Sequence, residues 1–379
     1  MITTAVVLAG GKGVRLRPLT LNTPKPLLPV GNKPLLDYML GMLVAQGFER
    51  ILVAVNYLGW KILKHLLEKW SDRGIEIIAP QVNPQDTADA VRRLREFINE
   101  DFIVTMGDVL TNMNLREFAD HHERSGAFAT IALVEVSSLR DFGAVLLDKE
   151  GRVVHFIEKP RFDETYIVSI AYCNPARLSA LHRNLANSGF YAFRYEVLDI
   201  LEENPQLMDF GKHVFPWLLE NGYDVRGWAS PAYWIDVGRP ATYLMANLDL
   251  LAGLAEPLRP YGREHGGVWI GEGVEVAPDA RLVPPVALGD DARVGSGARL
   301  GPFAVVGHES GVRENAVVEY SVVLNGVEVG EAARVTSSIV GEGARILPHC
   351  SVEGGLVRDG ETVSGDIAAE ADLRVLLAR

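Results

Sequence analysis

From Ile270 to Leu324 every sixth residue is aliphatic, and few folds tolerate that period. Two residues ahead of each aliphatic runs a second register of small or apolar side chains, from Val268 through Ala280, Ala292 and Ala304 to Val322. One residue behind it glycine recurs, at Gly271, Gly289, Gly295, Gly301 and Gly307. An α-helix repeats every 3.6 residues and a strand every two, so a period of six suits neither. It suits a parallel β-helix, whose coils have three flat faces of about six residues each. The aliphatics stack inward, the small residues fit beside them, and glycine lets the chain turn the corners. The frame slips after Leu324 and returns at Val340 and Ile346, which predicts a looser or bulged coil. Residues 268–352 are read as this domain. Residues 251–267, with Pro257, Pro260 and several glycines, read as a linker. Residues 353–379 form a tail whose apolar spacing over 366–379 predicts a capping helix.

Residues 1–250 have a different texture. Strand-like runs at 5–9, 50–55, 102–106 and 129–136 alternate with helical spacing at 35–46, 61–70, 87–97 and 115–124. That alternation predicts an α/β domain with a Rossmann-like, mostly parallel sheet covered by helices. Ligands bind such sheets beyond the carboxyl ends of the strands. A formal net charge of −12 argues against a nucleic-acid partner, because phosphate backbones reward a basic surface. The two cysteines, Cys173 and Cys350, make neither a disulfide framework nor a zinc cluster, and fit a reducing compartment. The first residues read as a strand and not as a signal peptide. No apolar run reaches the ~20 residues of a membrane helix. A cytoplasmic protein with no membrane partner is expected.

The stretch Leu8-Ala9-Gly10-Gly11-Lys12-Gly13-Val14-Arg15-Leu16-Arg17-Pro18-Leu19-Thr20, followed by Pro24-Lys25-Pro26, carries the most chemical information. It follows a predicted strand. Its glycines allow backbone N–H groups to approach and cradle phosphate. Arg15 can grip phosphate oxygens in a fork, and Lys25 supplies a compact charge. It is neither a Walker A loop nor a Gly-x-Gly-x-x-Gly turn.

This string resembles the signature of the sugar-nucleotide pyrophosphorylases, the sugar-1-phosphate nucleotidylyltransferases, which often carry a C-terminal left-handed β-helix. Later segments extend the likeness. Gly107-Asp108 closes a strand as the family's metal-binding aspartate does. Phe156-Ile157-Glu158-Lys159-Pro160 is similar to the motif whose lysine meets the sugar phosphate. Asn187-Ser188-Gly189-Phe190-Tyr191 is similar to the segment that touches sugar hydroxyls, and Trp234-Ile235-Asp236-Val237-Gly238 to the one with the second metal aspartate.

The resemblance implies a reaction between a nucleoside triphosphate and a sugar-1-phosphate that yields a nucleotide sugar and pyrophosphate. Arg15 would hold the departing phosphates, Lys25 the α-phosphate, and Lys159 the attacking sugar phosphate. Asp108 and Asp236 would hold Mg2+, a hard ion that favours carboxylate and phosphate oxygens. Leu8, Gly10, Gly11, Gly13, Thr87, Asp89 and Gly107 would contact the nucleotide. Glu158, Asn187 and Gly189 would contact the sugar. A homo-oligomer is expected, with the β-helix in a structural, oligomerising role.

Two departures bear on substrate. Val14 stands where the family usually has a small hydroxyl residue. The base-binding segment reads Pro84-Gln85-Asp86-Thr87-Ala88-Asp89-Ala90 where many relatives have Leu-Gly-Thr-Ala-Gly. Thr87–Ala90 and Asp209-Phe210-Gly211-Lys212 resemble the ADP-glucose branch. The run from Pro26 to Asp37 and Asn187-Ser188-Gly189 resemble the mannose-1-phosphate guanylyltransferases. The balance points to guanine and mannose, with adenylyl, thymidylyl or uridylyl transfer to glucose-1-phosphate as the alternative. Asp86 and Asp89 have a second reading, as first-turn residues that stabilise a helix N-terminus.

Two rival functions are open. A non-catalytic regulatory or assembly subunit would be expected to have lost Arg15, Lys25 or an aspartate. An acyl-transferring β-helix would need a histidine base, for which His308 and His349 are the candidates. His121 and His122 are expected on a helix surface. Residues 161–186 are longer than the family's usual spacing and would form a lid or contact element.

Overall fold

A computed structural model describes residues 1–139, 142–159 and 184–368. The expectations for 161–186 and for a helix over 366–379 therefore lie largely outside the described residues, as does Cys173. The chain forms two compact units, and neither is a continuous stretch. The architecture is α/β with a Rossmann-like, mostly parallel sheet, followed by a left-handed parallel β-helix.

The first unit comprises residues 1–11, 40–107 and 113–234. At its centre, Thr4–Leu8 pairs in parallel with Arg50–Ala54 on one side and Phe102–Met106 on the other. Glu76–Ile78 extends the parallel set, and Leu185–Phe193 joins antiparallel to Phe102–Met106. The central strand is buried at every position, as expected of a parallel strand covered on both faces. The register aligns Leu8 with Ala54 and Met106, so three strands end together at their carboxyl ends. Gly10 and Gly107 leave the sheet there. The helix Leu115–Ser125 shows how local signals set boundaries. Asn114 caps its start by accepting from the Glu117 N–H at 3.0 Å, and Gly126 ends it at φ 66°.

That helix corrects one expectation. His121 is partly exposed, but His122 is buried, and its Nδ1 lies 2.7 Å from Thr130 Oγ1. Leu115, Phe118, Ala119 and His122 are the helix's buried residues, and their three- and four-residue spacing makes one face. Burial, helped by Arg194, lowers the His122 pKa to about 4.

The second unit comprises residues 12–39, 108–112 and 235–379. Its β-helix has three parallel sheets, beginning with Val268–Ile270, Glu275–Val276 and Arg281–Leu282. Arg263–His265 pairs antiparallel with Val268–Ile270 and covers that sheet edge. The aliphatic ladder is as the period of six predicts through Val318. The slip then falls one residue earlier than the sequence suggests. Val306 pairs with Val323, so Val323 takes the rung assigned to Leu324, and the core runs on through Val329, Val335 and Val340 to Val363. The cause is a corner one residue shorter. Gly301, Pro302 and Phe303 separate Leu300 from Ala304, whereas only Glu319 and Tyr320 separate Val318 from Ser321. Ser321 stabilises the short corner, donating to the Glu319 carbonyl at 2.7 Å and accepting from the Ser338 N–H at 3.0 Å. Ser338 repeats the device one coil later, accepting from the Gly355 N–H. Cys350 is a buried thiol in this core. No helix among the described residues is long and apolar enough to cross a membrane.

Candidate functional site

Four of the predicted residues meet in the second unit. Lys25 starts a short 3-10 turn after Pro24, and its side chain is only 8% exposed. Its Nζ lies 2.6 Å from Asp108 Oδ2 and 3.0 Å from Asp236 Oδ1. Arg15 Nη2 stands 3.7 Å from Asp236 Oδ2, with its side chain 56% exposed. Burial alone would push the lysine pKa down, but the two carboxylates outweigh it and hold the ammonium charged. The chain delivers the aspartates from distant segments. The Val237 N–H donates to the Asp108 carbonyl at 3.4 Å, which fastens the two segments side by side.

Two further residues shape this cluster. A Cβ on Gly238 would sit 2.8 Å from Asp236 Oδ2 and 3.0 Å from Arg15 Nη2, so a side chain there would shift that pair from its present positions. Gly13 adopts φ 57°, with Thr20 Oγ1 donating to its carbonyl at 2.8 Å. Sequence reasoning quoted Gly238 and Thr20 inside their motifs but gave neither a role. Val14 is 58% exposed on the same turn. Gly10 and Gly107 belong to the first unit. A Cβ on Gly10 would meet the Asn56 side chain at 3.1 Å, and one on Gly107 would meet the Leu8 carbonyl at 3.2 Å. Leu8 closes its strand there, and nothing lies within 4 Å of a Cβ built on Gly11.

The first unit gathers the others. Glu158 and Lys159 follow the strand Val153–Ile157, with Lys159 Nζ 3.8 Å from Glu158 Oε1 and Lys159 held at φ 48°. Burial raises the Glu158 pKa, and the nearby Asp209 and Asp86 add to the rise, against Lys159 and Lys212. Gly143 and Gly211 press on this carboxylate. A Cβ would lie 3.0 Å from Glu158 Oε2 at Gly143 and 2.8 Å at Gly211. Gly143 was not singled out from sequence, and Gly211 was quoted only inside Asp209-Phe210-Gly211-Lys212 with no role, because the contact is tertiary. Asn187 accepts from the Gly189 N–H at 2.9 Å and donates to the Tyr191 hydroxyl at 3.0 Å. Gly189 adopts φ 83°, where a Cβ would strike Met106 at 2.9 Å.

Thr87 and Asp89 lie on the helix Thr87–Arg92. Asp86 caps it, accepting from the Thr87 N–H at 2.9 Å. Thr87 Oγ1 donates to Asp209 and accepts from the Phe210 N–H, both at 3.1 Å. Asp89 is fully buried. One oxygen accepts from the Gln85 N–H at 2.8 Å and from Arg93 at 3.0 Å, and the other pairs with Arg92. Burial pushes its pKa up, yet these donors carry it below the usual carboxylate range. The geometry supports the helix-start reading of Asp86 and Asp89: a carboxylate with no exposed surface and both oxygens engaged is not presented to a base.

The histidines raised for acyl transfer are placed differently. His308 Nδ1 accepts from the Asp290 N–H at 2.9 Å, and its Nε2 lies 3.2 Å from the Asn32 carbonyl. Tyr261 packs against its ring edge-on. His308 thereby joins the turn at Asn32, whose side chain donates to the Val306 carbonyl, to the β-helix. His349 is a corner residue at φ 65°.

A family model described as "Nucleotidyl transferase" matches residues 4–253, and one described as "GMPPB C-terminal domain" matches residues 282–371. A mannose-1-phosphate guanylyltransferase of Mycobacterium tuberculosis is 31% identical over 353 residues, covering 92% of this chain and 82% of that one. A mannose-1-phosphate guanyltransferase of Yarrowia lipolytica is 31% identical over 383 residues, covering 96% and 97%. A UTP–glucose-1-phosphate uridylyltransferase of Synechocystis is 27% identical over 352 residues, covering 89% and 86%.

Proposed function

The chain belongs to the nucleotidyl transferase family, and on that premise we propose that it joins GTP to mannose-1-phosphate, forming GDP-mannose and pyrophosphate. The carrying observation is the convergence of Asp108 and Asp236 on the Lys25 ammonium, with Arg15 beside them. The names of the M. tuberculosis and Y. lipolytica relatives support the choice of base and sugar.

A phosphoryl oxygen of the sugar phosphate attacks the α-phosphorus. The bond to the bridging oxygen breaks, and pyrophosphate leaves with the electron pair. A phosphate monoester is largely dianionic near neutral pH, so no general base is needed. The work is placement and charge neutralisation. Asp108 and Asp236 fit a divalent ion. Oxygens within 2.6 and 3.0 Å of one nitrogen can share a cation, and Mg2+ is commonly held by one or two carboxylates plus substrate phosphates. Among the described residues no third His, Cys, Asp or Glu completes a protein-only cage, in keeping with such a site. The bound ion would neutralise phosphate charge as a Lewis acid.

Lys25 would present its buried positive charge to the α-phosphate. Arg15, on the exposed turn after Gly13, clamps the β- and γ-phosphates in a fork. Lys159 places the sugar phosphate, and Glu158 and Asn187 hold sugar hydroxyls. Asp89 takes no part in reading the base. Base selection falls to backbone groups near Gly10 and Gly11 and to the segment before Thr87.

The test is pyrophosphate release over a grid of five nucleoside triphosphates and several sugar-1-phosphates with Mg2+. Turnover confined to GTP with mannose-1-phosphate is expected. Turnover with another pair would sink the substrate assignment and leave the reaction standing. A silent grid from folded protein would favour the regulatory-subunit reading.

A further inference from the structure

Lys25 is followed closely by a small hairpin. The Leu28 N–H donates to the Lys25 carbonyl at 3.1 Å, and Pro29–Val30 then pairs antiparallel with Lys33–Pro34. The turn residues Gly31 and Asn32 have φ 54° and 63°, the two positive angles that a type I′ turn requires. This hairpin is fastened from two sides. One is the helix Pro240–Leu251, which follows Asp236. Its Tyr243 hydroxyl donates to the Pro29 carbonyl at 2.6 Å, and its Asn247 Oδ1 accepts from the Gly31 N–H at 2.8 Å. The other is the β-helix. Asn32 Nδ2 donates to the Val306 carbonyl at 2.9 Å, and the Asn32 carbonyl lies 3.2 Å from His308 Nε2. The hairpin is thus held between the segment that carries Asp236 and one coil of the β-helix, with Lys25 at its near end.

The surroundings of His308 select one tautomer. The Asp290 N–H donates to Nδ1 at 2.9 Å, so that nitrogen offers a lone pair. The ring proton is therefore on Nε2, aimed at the Asn32 carbonyl. Asp290 is itself fixed: Oδ1 accepts from the Glu272 N–H at 2.7 Å and Oδ2 from the Tyr261 hydroxyl at 3.0 Å. Tyr261 returns to the turn, its N–H donating to the Gly31 carbonyl at 2.8 Å. Asn32 is 4% exposed, and a buried amide is expensive to leave unpaired, so its bond to Val306 resists opening.

We propose that Asn32 and His308 are positioning residues for Lys25: through the hairpin, the β-helix sets where the ammonium stands against Asp236. That role rests on the phosphate-binding reading of Lys25. Lys25 and Asp236 come from segments remote in sequence, yet their charged atoms stand 3.0 Å apart. Such a pair needs a common frame. Tyr243 and Asn247 tie the hairpin to the Asp236 side, and Asn32 and His308 stop it from drifting off on the other. A preorganised charge loses its value when it moves, and a misplacement of about 1 Å can cost about a hundredfold in rate. Losing one of several fastenings should cost less, about tenfold. The β-helix thereby takes part in the reaction with no histidine acting as a base.

The experiment compares Asn32→Gly, His308→Ala and His308→Gln in the full-length protein, with Lys25→Met as reference. Two quantities are read: steady-state turnover, and amide hydrogen exchange over residues 27–33 by mass spectrometry. Glycine keeps the positive φ at position 32 and removes only the amide. Glutamine can donate to the Asn32 carbonyl as Nε2 does. Asn32→Gly and His308→Ala should exchange faster over the hairpin and lose about tenfold in kcat per folded molecule, with the KM for the sugar phosphate unchanged. His308→Gln should match the wild type in both. Wild-type exchange in Asn32→Gly and His308→Ala overturns the proposal, whatever the substrates prove to be. So does faster exchange with undiminished kcat while Lys25→Met is inactive, or a His308→Gln protein as impaired as His308→Ala. A wild type with no turnover on any pair, or a Lys25→Met protein with full turnover, overturns the reading of Lys25 itself, and the positioning role falls with it.

Discussion

Asp89 and Lys25 are both buried charges held by two side chains of opposite sign, and they end in opposite situations. Around Asp89 the hub is sealed: a backbone N–H and two arginines take both carboxylate oxygens, and the hub has no exposed surface. Around Lys25 the hub is sealed but the rim is open. Its two carboxylates remain partly exposed, and an exposed Arg15 stands beside one of them. A ligand can replace a partner only where the rim can be reached. The first arrangement is a joint and the second a socket, and a list of ion pairs alone would not separate them.

The sharpest way to break this contrast is to remove each hub. Lys25→Met should cut pyrophosphate release about a thousandfold, the upper range for losing one preorganised charge donor. Its urea midpoint should stay near that of the wild type, because the rim carboxylates can reach water. Asp89→Asn should do the reverse. Breaking a buried, hydrogen-bonded pair costs about 3–5 kcal/mol, read as a lower urea midpoint, while activity per folded molecule is retained. An Asp89→Asn protein of normal stability but no activity would dissolve the contrast.

Smaller effects sharpen it. In Gly211→Ala the new Cβ meets Glu158 Oε2 at 2.8 Å, and the carboxylate must move. A misplaced positioning group can lower kcat/KM by about a hundredfold. The loss should appear against the sugar phosphate, with the KM for the nucleoside triphosphate unchanged, in steady-state assays varying each substrate. His122 extends the sealed class to a histidine. Its imidazole stays neutral in the fold down to about pH 4, whereas the unfolded chain takes up that proton near 6.5. The associated stability is complete above pH 6.5 and is lost as the pH falls toward 4, about 3 kcal/mol in all. Imidazole NMR should show one ring titrating near 4, and a midpoint near 6.5 would return His122 to the surface.

The legible part of the molecule was whatever repeats or ends a strand. The period of six identified the β-helix because each coil buries the same stack. Asp108 was marked by a strand end followed by glycine and aspartate, and Asp236 by the likeness of Trp234–Gly238 to a family motif. The errors arose where two local readings were equally good. At the slip, Val323 and Leu324 are both aliphatic, and only the missing corner residue decides between them. Asp120-His121-His122-Glu123 looks like a solvated run, although its spacing from Leu115 and Phe118 already placed His122 on the inner face. The closeness of Gly143 and Gly211 to Glu158 gave no signal, because the carboxylate they face is remote in sequence.

The short corners of the β-helix have a consequence for how such a chain tolerates changes in length. Inside a regular strand the loss of one residue moves every later side chain of that strand to the other face. Here Val318 pairs with Val335 and Val335 with Val352, each a residue closer than Leu300 is to Val318, and the ladders on all three sheets stay aligned. Each coil contacts only its neighbours, so a missing residue is absorbed at one vertex. The gene can shorten this domain a single codon per turn, and selection need inspect only the corner where the cut was made.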